Sequence, residues 1–335
     1  MAEVFAQNGK EFYDMGMEQF NDRIIGETAA KTALLTGFVT GLNVALVGPP
    51  GGGKTTLAGE AYRLIDGFAE ENVARVPHHS DLTPQQLIGG VISNTIETSD
   101  EESSYVQTTT ARIKPIIHSN TQVIWLDELN RVNPFAVNAV LGALENGRVT
   151  TDAGEVQLKG LELAISTQNP SETRQATFPV AAATASRHAI GAYMGAEEKT
   201  DDPARDARID QLFDGWESSD TIAPVIDLEG LHEFRRQASG LVIATSAKQL
   251  GRPLVKRTVE LLSSHSINEA DSRITRHVAK AARGLALLNG ETAVQEYNLR
   301  DAVGQIIAAR LGIAGARGNL GQAISTAVSS VVDRI

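Results

Sequence analysis

Apolar positions along this chain repeat with two different periods, and the change of period divides it. Up to about residue 195, short apolar runs of strand length alternate with stretches of three- and four-residue spacing. The spacing predicts a short helix around 11–20 and another over 28–40, with Ala30, Leu34, Leu35 and Val39 on one face. It predicts strands at 43–47, 72–76, 121–126 and 161–167, and a helix from Thr56 to Ile65. Thr83 before Pro84, and Asn133 before Pro134, are start signals for two more helices, the second over 134–146. Two hairpins are expected. One pairs 91–93 with 104–108 across the acidic turn Ser99-Asp100-Glu101-Glu102; the other pairs 148–151 with 155–158 across Asp152-Ala153-Gly154. Between 195 and 220 the apolar period disappears. Glu197, Glu198, Asp201, Asp202, Asp206, Asp210, Asp214 and Asp220 crowd that stretch, which reads as a linker. Beyond it only the helical period remains, near 228–238, 245–264, 271–289, 298–312 and 319–334, and Gly290 ends one of these helices.

This pattern is that of an α/β protein with a small helical domain after it. The domains are an N-terminal lead at 1–22, an α/β core at 23–195, an acidic linker at 196–226 and a helical domain at 227–335. A length of 335 residues agrees with two domains. The formal charge of −11 argues against a surface that clings to nucleic acid as a whole. The chain has no cysteine, so disulfides, thiolate catalysis and zinc-thiolate sites are excluded. Its first residues lack the pattern of a signal peptide, and no apolar run approaches the roughly 20 residues of a membrane span. A cytoplasmic protein without a membrane span is the expectation. The seven histidines show no metal-ligand spacing and read as core or solvated residues.

The chemistry begins at Gly48-Pro49-Pro50-Gly51-Gly52-Gly53-Lys54-Thr55, which joins the strand at 43–47 to the helix at 56–65. This is the spacing G-x-x-x-x-G-K-[ST] of a phosphate-binding loop, in the strand-to-helix setting that such a loop needs. Glycines let successive N–H groups curl around an anion, and the helix N-terminus adds positive potential. Pro50, Gly51, Gly52, Gly53, Lys54, Thr55 and Thr56 are the expected nucleotide contacts, with Lys54 on the β- and γ-phosphates and the Thr55 hydroxyl on Mg²⁺. About 70 residues further on, the strand at 121–126 ends in Asp127-Glu128. Taken alone, that pair could be a helix cap. After a phosphate loop it matches the second nucleotide motif, with Asp127 on the metal and Glu128 polarising a water. The strand at 161–167 ends in Gln168-Asn169-Pro170, an amide placed to hold that water or sense the γ-phosphate.

Taken together, Gly48 to Thr55, Asp127-Glu128-Leu129-Asn130-Arg131, Thr167-Gln168-Asn169-Pro170 and Thr177-Phe178-Pro179 resemble AAA+ ATPases of the MoxR family. That family is a helix-2-insert clade related to magnesium chelatase and to CbbQ/NorQ-type ATPases. The resemblance runs from about Ile24 to Leu311. It implies a P-loop NTPase core, a parallel sheet flanked by helices, with an all-helical lid, and it makes the two hairpins similar to the clade's insert and to its pre-sensor-1 hairpin. Asn169 would be sensor 1. Arg187, in Ala185-Ser186-Arg187-His188, stands where the family has the arginine finger of a Leu-Asp-Arg-Phe run; Arg174 and Arg131 are the alternatives. Arg273, in Asp271-Ser272-Arg273, is similar to sensor 2, although the family's Ser-Pro-Arg lacks its proline here. Ile25-Gly26 resembles the segment against adenine.

What the resemblance implies is ATP hydrolysis with Mg²⁺ in a homo-oligomeric ring, hexameric in expectation. A P-loop site has no group of its own for the charge that develops on the γ-phosphate, and a neighbour's arginine can supply it. The implied work is chaperone-like remodelling, or metal- or cofactor-insertion maturation, of a client or adaptor protein that often carries a von Willebrand A-type domain. Three alternatives stay open: a metal chelatase motor subunit, a DNA-acting AAA+ motor, and a non-catalytic structural ring that binds nucleotide. The acidic hairpin turn argues against DNA, and the intact Lys54, Asp127 and Glu128 argue against a scaffold.

Overall fold

The computed structural model describes residues 5–100, 103–151, 154–169, 177–195, 210, 213, 222–315 and 320–333, with the backbone alone for 90–113. At its centre five strands run parallel: β1 (Val44–Val47), β2 (Val73–Val76), β3 (Val123–Leu126), β4 (Leu163–Gln168) and β5 (Ile190–Tyr193). Their order across the sheet is β5-β1-β4-β3-β2. Every residue of β1, β3 and β4 is buried, as expected of strands covered on both faces. Pairing places Val47 beside Gln168, and Leu126 beside Ser166. The residues that follow β1 and β3 therefore leave the sheet at one level, next to the end of β4. Ligands of open parallel sheets bind at such carboxyl ends.

The sequence pattern did not show β5, whose four residues pair with β1 at the edge of the sheet. Gly191 is required there, because a Cβ would lie 2.2 Å from the Ala45 carbonyl oxygen. The helix after the loop, α3 (Lys54–Glu60), is shorter than expected and tightens into a 3₁₀ turn over Ala61–Leu64. Ile65–Asp66 then pairs with Ile226–Asp227. The first hairpin is longer than its pattern, with Gly90–Asp100 paired along Ser103–Ile113. The second pairs Arg148–Thr151 with Gly154–Gln157.

The N-terminal lead is part of the packed fold. Its helix α1 (Gly9–Asn21), capped by the Asn8 side chain, buries Phe12 and Phe20. Phe12 meets Phe234 in a tilted ring contact with centroids 6.0 Å apart, and a Cβ at Gly9 would strike Leu287, so this helix packs on the C-terminal region. That region is not wholly helical, since Val242–Ile243 pairs with Ala293–Val294. Most of the acidic linker lies outside the described residues; its end does not behave as a linker, because Ile222 and Val225 are buried. Helix α2 (Thr28–Thr40) packs against α5 (Asp271–Leu288), where a Cβ on Gly284 would meet Thr40 at 2.4 Å. Helix α6 (Glu296–Ala314) lies on the sheet so closely that Gly312 touches Val47. Among the described residues no helix is long and apolar enough to cross a membrane.

Candidate nucleotide site

The loop after β1 curls because Gly51 and Gly53 take φ of +84° and +80°, values that side chains disfavour. Lys54 is buried, and its Nζ donates to the Pro49 carbonyl at 2.6 Å. Burial lowers its pKa from the ordinary lysine value, while Glu128, Glu27 and Asp127 oppose that shift. Residues 23–27 form a strap over the loop. Ile24 lies against it: a Cβ on Gly53 would lie 2.6 Å from Ile24 Cδ1. Ile25 and Gly26 follow on the same strap. The buried Lys31 holds the strap by donating to the Ile24 carbonyl and, at 2.6 Å, to Asn21 Oδ1. Glu27, at φ 56°, accepts from the Gly195 N–H at 2.9 Å. Thr55 and Thr56 open onto a cleft walled by Trp125, Tyr62 and Arg75, whose guanidinium stacks 4.2 Å over the Trp125 ring.

The sheet register brings both carboxylates to this loop. Asp127 Oδ1 accepts from the Thr55 hydroxyl at 3.2 Å and from the Thr167 hydroxyl at 2.8 Å. Thr167 in turn accepts from the Glu128 N–H at 3.0 Å, across neighbouring strand ends. Glu128 adopts φ 46°, a left-handed value that starts the 3₁₀ turn Leu129–Arg131. Asn169 Nδ2 donates to Glu128 Oε1 at 2.6 Å. Burial raises the Glu128 pKa above the usual carboxylate value, with Arg131 and Lys54 pulling it back. Glu128 Oε2 and Asn169 Oδ1 are buried without a hydrogen-bond partner among the described residues. Two such acceptors suit a water. The Thr55 hydroxyl and Asp127 carboxylate are hard oxygen donors 3.2 Å apart, a pair that suits Mg²⁺. His78, which the sequence reading left among the core or solvated histidines, stands 3.4 Å from Asp127 Oδ2. Thr167 also had no assigned role, although it stands in the quoted Thr-Gln-Asn-Pro run.

Arg187, the finger expected to serve a neighbouring copy, and Arg273, similar to sensor 2, both lie on Glu145. Asn43 precedes β1, and its Nδ2 donates to the Leu144 carbonyl at 2.7 Å and to the Arg187 carbonyl at 3.0 Å. Its Oδ1 accepts from the Ala164 N–H at 3.2 Å. Arg187 is thus fixed at the amino end of β1, about 13 Å of strand away from the loop at the carboxyl end. There Arg187 donates to the carbonyls of Leu141 and Ala183, and to Glu145 at 2.7 Å. Arg273, at the start of α5, donates to the same Glu145 at 2.9 Å and to the Ser186 hydroxyl at 2.9 Å. Placing Arg273 on its own chain's nucleotide is therefore a reading this arrangement does not carry. Arg131 remains beside its own Glu128, 3.5 Å from Oε2. Arg174 lies outside the described residues.

Comparison with known proteins fits this layout. Residues 43–192 match the family model of the AAA domain, dynein-related subfamily. They form an AAA+ P-loop domain. The chain is 26% identical over 244 residues to YeaC, an uncharacterized protein of Bacillus subtilis (strain 168), covering 72% of this chain and 69% of that one. The fold matches the crystal structure of a candidate ATPase from Cytophaga hutchinsonii, with a TM-score of 0.68, 19% identity and 96% coverage of each chain. Strand order, loop and carboxylates of the AAA+ domain occupy 43–169, and its last strand, β5, closes the matched region.

Proposed function

We propose that this protein is a cytoplasmic MoxR-type AAA+ ATPase that hydrolyses ATP between copies of itself in a ring, hexameric by family resemblance. The observation that carries the hydrolytic reading is the contact of Asn169 Nδ2 with Glu128 Oε1 at 2.6 Å, beside a Thr55–Asp127 pair. The loop N–H groups and Lys54 bind the β- and γ-phosphates. Asp127 and Thr55 would hold Mg²⁺, which neutralises phosphate charge when bound. Glu128 Oε2 and Asn169 Oδ1 accept the two hydrogens of the attacking water and aim its lone pair at the γ-phosphorus. Glu128 takes up the proton as the bond to phosphorus forms and the bond to the β-phosphate oxygen breaks. Arg187 stands at the opposite end of β1 from its own Lys54. It serves the neighbouring copy, where a second charge on the γ-phosphate oxygens is needed. Such a ring would remodel a client, or insert a metal or cofactor into it, with an adaptor of von Willebrand A type as the expected partner.

The test is Glu128→Gln. This variant should bind ATP with near wild-type affinity, hydrolyse it at least 100-fold more slowly, and elute as a ring with ATP on size exclusion. Wild-type turnover, or a monomer with ATP, would overturn the reading.

A further inference from the structure

Glu145 is a surface carboxylate near the end of α4 (Pro134–Asn146), and no motif in the chain includes it. It has a different oxygen for each arginine: Oε2 accepts from Arg187 at 2.7 Å and Oε1 accepts from Arg273 at 2.9 Å. Ser186 adds a second bridge, since its hydroxyl accepts from Arg273 Nη1 at 2.9 Å and precedes Arg187 in the chain. The two cations come from segments about 85 residues apart, one in the α/β core and one at the start of α5.

The bases of the two segments are joined as well. Arg310, fully buried on α6, donates through Nε and Nη2 to the two oxygens of Glu269, four residues before Arg273. Its Nη1 donates to the carbonyl of His188, the residue after Arg187. Its Nη2 also lies 3.0 Å from His277 Nδ1. Burial beside Arg310 depresses the His277 pKa to about 3, so this imidazole is the neutral acceptor. One side chain therefore ties both arginine-bearing segments at their roots, while Glu145 ties them at their tips.

We infer that Glu145 is a positioning residue that makes Arg187 and Arg273 one two-guanidinium unit, presented as a unit to the nucleotide of the adjoining copy. This rests on the interface reading above. Two like charges in contact repel unless an anion lies between them. In the free protomer Glu145 is that anion. The paired guanidiniums keep N–H groups beyond those on Glu145, and a γ-phosphate supplies several acceptor oxygens for them. The partner chemistry is thus the terminal phosphate of a nucleoside triphosphate held by a second copy of this chain.

The experiment compares Glu145→Ala, Glu145→Gln, Arg187→Ala and Glu128→Gln, alone and in mixed rings, with ATP turnover and fluorescent ADP binding as readouts. Glu145→Ala should lower kcat 10- to 100-fold and leave ADP affinity at its own loop unchanged. Glu145→Gln keeps one acceptor oxygen and turns an amide NH₂ toward the other guanidinium, so it should fall in between. Glu145→Ala mixed with Glu128→Gln should regain turnover, because intact loops then meet intact arginine pairs. Mixed with Arg187→Ala it should not, since both defects lie in the same donated unit. Adding Glu145→Ala to Arg187→Ala should change the rate less than twofold. Wild-type turnover in both Glu145 variants, recovery with Arg187→Ala, or a multiplicative double mutant would overturn the proposal. Should Arg187→Ala itself retain wild-type turnover, the interface reading falls with it; if Arg187→Ala is inactive and the Glu145 variants are not, Glu145 alone is wrong. A Glu145→Ala chain that does not fold leaves Glu145→Gln, with an unchanged far-UV spectrum, to decide between these outcomes.

Discussion

The two ends of the central sheet are built by different rules. At the carboxyl end, the groups come from three short strings, 48–55, 127–128 and 167–169, each attached to a buried strand. At the amino end, Arg187, Arg273, Glu145 and Asn43 come from four separate elements, and no two of them share a motif. The first end holds a buried carboxylate on Asp127, a half-buried one on Glu128 and the buried ammonium of Lys54. The second holds a mostly buried Arg187, 18% exposed, beside a partly exposed Arg273 and a partly exposed Glu145. A site that binds an anion from solution must carry its machinery in one rigid place. In the proposed function the amino end completes another copy's site, and the fold gathers its two arginines from segments that meet at Glu145.

The largest effects should come from the carboxyl end. Lys54→Ala removes the loop's mobile cation and should weaken ATP binding at least 100-fold in calorimetric titration, with turnover lost alongside. Unchanged affinity would detach this end from phosphate binding. Asn169→Ala should reduce turnover about 10- to 100-fold with little change in affinity, because the water loses one acceptor and Glu128 its 2.6 Å partner. Affinity loss without turnover loss would make Asn169 a binding residue instead.

The amino end should answer in stability first. Asn43→Ala leaves the carbonyls of Leu144 and Arg187 and the N–H of Ala164 without their partner. A loss on the order of 2–4 kcal/mol in denaturant unfolding is expected. ADP affinity should stay close to wild type, because the loop lies at the other end of β1. A large affinity loss would show that the two ends are not separable.

The last effect appears only in acid. His188 is fully buried, donates through Nδ1 to the Thr184 carbonyl at 3.0 Å, and has its pKa pushed down to about 4 by burial. An unfolded histidine titrates near 6.5, so between about 6.5 and about 4 the unfolded chain binds the extra proton. Stability is therefore full above about pH 6.5 and falls as pH drops toward 4, by up to about 3 kcal/mol from this residue. Histidine 277 acts in the same direction, down to about 3. His188→Phe should flatten the acid limb of a stability-versus-pH curve, and an unchanged slope would assign that limb to other groups.

Much of the carboxyl end was legible because its function is local. A phosphate loop works through consecutive N–H groups and glycine dihedrals, so its spacing is its mechanism. The strand β5 was not legible, because four residues at a sheet edge, Ile190–Tyr193, carry too little period to show. The helix α1 read as a polar lead because its buried face, Phe12 and Phe20, is narrow and its partner Phe234 lies over 200 residues away. The place of Arg273 beside Glu145 and Ser186 was not legible, because a motif gives a residue's neighbours in the chain and not the end of the sheet where it lands.

The sequence by itself determined that the chain has a phosphate loop, two strand-end carboxylates and a polar amide, because these are fixed by short spacings and by apolar runs buried on both faces. Only the tertiary structure decided that Val47 lies beside Gln168 and so sets the loop against Asp127 and Asn169. It alone brought Glu145 between Arg187 and Arg273, and Arg310 beneath both. The reason is physical: hydrogen-bond register and helix packing are long-range choices, made by the buried faces of whole elements, and no window of sequence contains both sides of such a contact.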